Sequence, residues 1–97
     1  MPELDFDSPL HTFKANNLTY TVPSNIEECY LCGSVYSAYQ RSMTVTTINN
    51  AKVVAIPANS GLGGLVHPVF ISPLKLTTGD VITINVADEG LSIYSVK

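Results

Sequence analysis

The sequence predicts an all-β fold, a compact jelly roll or β-sandwich of seven to eight short antiparallel strands. Three observations lead there. Val, Ile, Thr and Tyr dominate the extended stretches, and no segment shows the three-to-four-residue apolar spacing of an amphipathic helix. Pro, Gly, Asn, Asp and Ser interrupt the chain at short intervals. The length, 97 residues, suits one domain with a thin core, with roughly 5,400 Å² of folded surface expected for this mass.

The elements follow in order. Residues 1–17 read as an N-terminal arm with a first strand near Leu10 to Lys14, and residues 18–97 as the β domain. Leu18 to Val22 alternates, with Leu18, Tyr20 and Val22 on one face and Thr19 and Thr21 on the other. Pro23-Ser24-Asn25 turns the chain. Cys29 to Ser37 is the next extended run. It places Cys29, Leu31, Gly33 and Val35 opposite Tyr30, Cys32, Ser34 and Tyr36. Ser42 to Ile48 and Lys52 to Ile56 flank Asn49-Asn50, a two-residue hairpin turn, because Asn tolerates left-handed backbone angles. The run from Pro57 to Leu65, "PANSGLGGL", reads as a loop. Val66 to Ile71 contains Pro68, which predicts an edge strand or a bulge. Pro73 to Leu76 leads to a turn at Thr78-Gly79-Asp80. Val81 to Val86 and Leu91 to Val96 complete the set, joined by the turn Ala87 to Gly90.

Charge narrows the function classes. Charged residues make up 13% of the chain, against about 25% in ordinary soluble domains. Ser, Thr and Asn must therefore cover much of the surface, and part of it is expected to be buried in an oligomer or larger assembly. Net charge is −3, and no Lys/Arg cluster provides a phosphate-binding footprint, so no nucleic-acid partner is expected. No apolar run reaches the ~20 residues of a membrane-spanning helix. The acidic start "MPELDFDSPLHTF" lacks the regions of a signal peptide, and the chain reads as a complete protein beginning at Met1. Asn17-Leu18-Thr19 fits the glycosylation pattern, which carries no weight without such a signal.

The two cysteines, Cys29 and Cys32, admit three chemistries. In an extended strand their Cα atoms lie about 10 Å apart, beyond the ~7 Å that a disulfide tolerates. A redox pair needs a following helix, and Ser34 to Tyr39 is β-like. Zinc needs four ligands, and Cys29, Cys32, His11 and His67 would form the set, with Gly33 permitting a tight turn. Against this stands the plainer reading, two reduced thiols on opposite faces of a strand, which the isolated histidines and the lack of a second knuckle favour; no cofactor is expected.

Nothing else assembles into an active site, and the chain is expected not to be an enzyme. No serine sits in a G-x-S-x-G elbow. Asp88 and Glu89 are adjacent in a turn, and Asp5 and Asp7 match only the start of a calcium loop. Gly61 to Gly64, "GLGG", lacks the Lys and helix start of a phosphate loop; it reads as a surface loop or as an arm that orders against a neighbour. The candidate interface residues are Tyr30, Tyr36, Tyr39, Leu62, Leu65 and His67, because tyrosine joins an apolar ring to a hydrogen-bonding end.

"LTYTVPSNIEECYLCGSV", "SPLKLTTGDVITINV" and "LSIYSVK" together resemble small jelly-roll virion domains of bacteriophage, the capsid decoration proteins and fibre knobs. The similarity runs from about Leu18 to Lys97 in order and spacing, and the cysteine pair is not part of it. The resemblance implies a non-enzymatic virion structural protein, made in the host cytoplasm and assembled as a homo-oligomer, with a trimer favoured. A capsid decoration subunit would bind the major capsid or another virion protein and stabilise the shell. The alternative it implies is a receptor-binding fibre tip that recognises host surface glycans.

Overall fold

The computed structural model describes residues 2–38, 43–57, 66–85 and 90–97, and only the backbone of residues 36–38 and 66–68. The described strands are β1 (His11–Thr12), β2 (Thr19–Thr21), β3 (Glu28–Ala38), β4 (Thr44–Ile48), β5 (Ala51–Ile56), β6 (Val66–Thr77), β7 (Val81–Ile84) and β8 (Leu91–Ser95). They form two four-stranded sheets in the orders β1-β8-β3-β6 and β2-β7-β4-β5, and all their pairings are antiparallel. The fold is the all-β sandwich that alternation and turn spacing predict. Its strand order has a simple origin. β1 pairs with β8, β2 with β7, β3 with β6 and β4 with β5, so the chain is one long antiparallel ribbon folded over on itself. The β8–β3 and β7–β4 pairings close the roll, which is the jelly-roll arrangement.

The tip of that ribbon is the Asn49-Asn50 turn. Both residues have positive φ, 51° and 68°, as a two-residue turn between right-twisting strands requires. The first sheet contributes Cys29, Leu31, Val35, Leu76, Leu91 and Ile93 to the core, and the second contributes Ile56, Ile82 and Ile84. Phe13 and Val22 join them from the ends of β1 and β2. The N-terminal stretch lies along β8: Asp5 N–H donates to Ser95 C=O, Leu10 to Ile93 and Phe13 to Leu91. Leu4 and Phe13 are buried as a result.

Two details differ from the sequence pattern. Val66 to Ile71 and Pro73 to Leu76 are one strand, β6. The register against β3 shifts between Leu31 and Gly33, so Ser72 and Pro73 together oppose Cys32. A bulge tolerates a residue without an N–H, and Pro73 marks it rather than ending the strand. In β4 the threonines face inward: Thr44 and Thr46 are buried, while Met43 is exposed and Val45 half-exposed. Alternation separates the two sets but does not say which one meets the core.

Glycine and asparagine hold the strands in register. Gly33 has φ +132°, and a Cβ there would lie 1.9 Å from the Gly90 carbonyl oxygen. Only glycine allows β3 and β8 to approach this closely. In the second sheet, Asn49 N–H donates to Val81 C=O (2.9 Å) while Val81 N–H donates to Asn49 Oδ1 (3.0 Å). At the other end of the β4–β7 pair, Asn85 N–H donates to Val45 C=O (3.2 Å) and Val45 N–H to Asn85 Oδ1 (2.8 Å). In each terminal pair a side-chain amide oxygen accepts where a backbone carbonyl would in a continuing ladder.

Candidate functional site

The cysteines come first, because any metal or redox chemistry would rest on them. Cys29 sits in the core with no exposed surface, whereas Cys32, three residues on, is half-buried and lies on the opposite face. Both are free thiols. Burial, then the Asp80 carboxylate, pushes the Cys29 thiol up to about 11, and burial alone raises Cys32. Both are therefore protonated at neutral pH, which disfavours metal ligation and nucleophilic attack. His11 is engaged elsewhere: its Nε2 lies 3.0 Å from Asn17 C=O, and its ring packs against Phe13 and Tyr20. The His67 side chain lies outside the described residues. Among the described residues no three His, Cys, Asp or Glu side chains converge on a common point. Gly33 does take the positive φ that a metal knuckle would need, but it does so inside a strand. The set Cys29, Cys32 and His11 is not brought together.

The paired carboxylates divide in the same way. Asp5 Oδ1 accepts the N–H of Asp7 at 3.1 Å, a local turn at the surface. Asp88, Glu89 and the "GLGG" run lie outside the described residues. The acid with the densest set of partners is Asp80, in the β6–β7 turn. Its Oδ2 accepts Thr77 N–H at 2.9 Å, and its Oδ1 accepts Asn49 Nδ2 at 3.1 Å. The Thr77 N–H first, then the Asn49 amide, holds its carboxyl below the ordinary range. The same turn receives the end of β2, with Gly79 N–H donating to Val22 C=O and Val22 N–H to Asp80 C=O. The Thr78 hydroxyl also bonds the Ile26 carbonyl. This network ties three chain reversals together and is structural.

What remains is surface. Tyr30 projects from the outer face of the first sheet beside Lys75 and Tyr94, yet only 7% of it is exposed. Its hydroxyl donates to Glu28 Oε2 at 3.3 Å, and Lys75 Nζ lies 3.6 Å from the same oxygen. Tyr30 therefore presents little surface to a partner. Tyr36 and His67 occupy β3 and β6 opposite Pro68 and Ser37, and their side chains lie outside the described residues. Tyr39, Leu62 and Leu65 lie outside them entirely.

The residue that sequence reasoning passed over is Phe70. It is 80% exposed, in the middle of the edge strand β6. Its neighbours Val69 and Ile71 pack against the core, so alternation drives Phe70 outward. The signal was present in "PVFIS": three consecutive large apolar residues in a strand cannot all face inward. Phe6 is a second case, 61% exposed with its ring edge-on to Tyr94 at 4.9 Å.

The direction of the β6 backbone is fixed by one hydrogen bond. Ser34 N–H donates to Gly90 C=O on the β8 side. Residues of β3 alternate between partners, so Ser34 makes no ladder bond to Phe70, its opposite number in β6. The Phe70 N–H and C=O therefore point away from β3, toward the open edge. Pro68, two residues earlier, shares that orientation, so its missing N–H costs the β3–β6 ladder nothing. At the far end of the strand, the outward Thr77 N–H is taken by Asp80.

Comparison with protein-family models, curated proteins and solved structures finds no match to this chain.

Proposed function

We propose that this chain is a non-enzymatic structural protein of a bacteriophage particle, a decoration subunit that binds the capsid surface and stabilises the shell. The observation that carries the reading is Phe70, a large apolar side chain held outward on an edge strand of a rigid jelly roll. A ring held out in this way suits a surface that a partner covers. The resemblance of the Leu18 to Lys97 motifs to jelly-roll virion domains supplies the particle context. The low charge content suits a surface that docks on another protein. Binding at many equivalent capsid positions would stabilise the shell by mass action.

The test is sedimentation of purified protein with capsids that lack it. The expected result is saturable co-sedimentation and a higher temperature of capsid disruption. Protein left in the supernatant at saturating concentration, with binding instead to cells or to a glycan array, would replace this reading with the fibre-tip one.

A further inference from the structure

We draw no further inference here: the strongest candidate, the open edge of β6 around the exposed Phe70 ring, belongs to the surface already described, and nothing in the structure shows what covers it.

Discussion

The two sheets solve the same problem with different chemistry. The first, β1-β8-β3-β6, holds its register through backbone shape: Gly33 at φ +132° against Gly90, and a bulge at Ser72-Pro73. Its inner face is almost wholly apolar, with Leu31, Val35, Leu76, Leu91 and Ile93. The second, β2-β7-β4-β5, holds its register through side-chain amides, Asn49 at one end of the β4–β7 pair and Asn85 at the other. Its inner face includes two threonines. Shape-based closure is unforgiving, because a misplaced atom meets backbone. Amide-based closure degrades gradually, because water can replace a lost hydrogen bond at the surface. The first sheet should therefore fail abruptly under substitution and the second by increments.

The largest effect expected from this contrast is at Gly33. Gly33→Ala puts a methyl group on the Gly90 carbonyl and forces a backbone angle that L-residues rarely adopt. The expected loss is about 3 kcal/mol or more, a large share of the stability of a small domain. Urea unfolding monitored by circular dichroism measures it, and a variant within about 0.5 kcal/mol of the parent would remove the contrast between the sheets.

The matching change in the second sheet is Asn85→Ala. It leaves Val45 N–H without its side-chain acceptor and also loses the 2.8 Å bond from Asn85 Nδ2 to Met43 C=O. Both bonds are at the surface, so the expected cost is about 1–2 kcal/mol with the fold retained. Fraying should appear as faster amide exchange at Val45 while Thr46 and Ile84 stay protected.

Asp80 sharpens the comparison through pH. Its carboxyl lies below the ordinary value of 3.8 in the folded protein, chiefly because it accepts the Thr77 N–H. The unfolded chain binds that proton more readily. The stabilisation is therefore complete above about pH 4–5 and is lost as pH falls through the depressed folded value. The melting temperature should fall on acidification below pH 4, and Asp80→Asn should flatten that part of the profile. An unchanged slope in the variant would assign the acid sensitivity to another group.

The smallest effect has the opposite sign. Thr46 is 1% exposed, and its hydroxyl finds no hydrogen-bond partner among the described residues. Thr46→Val keeps the shape and removes the buried hydroxyl, so it is expected to stabilise by up to about 1 kcal/mol. A destabilised variant in thermal melts would mean that the hydroxyl is satisfied after all.

Much of the fold was legible because strands report themselves locally. Leu18 to Val22 and Cys29 to Val35 alternate with period two, Asn49-Asn50 gives the hairpin, and Pro68 marks an edge that the sheet order bears out. The site was less legible. The candidate Tyr30 is covered by its own sheet, and Phe70 was hidden inside an apolar run that gave no sign of which residue faced out.

The sequence by itself determined that this protein is built of short strands, where most of them turn, and that Cys29 and Cys32 face opposite ways, because those properties depend on neighbours in the chain. Only the tertiary structure decided that Val66 to Thr77 is one bulged strand, that Thr44 and Thr46 face the core, and that Phe70 stands on an open edge. Those outcomes depend on which strand lies alongside. Residues such as Ser34 and Gly90 are 56 positions apart in the chain and meet only when the ribbon is rolled.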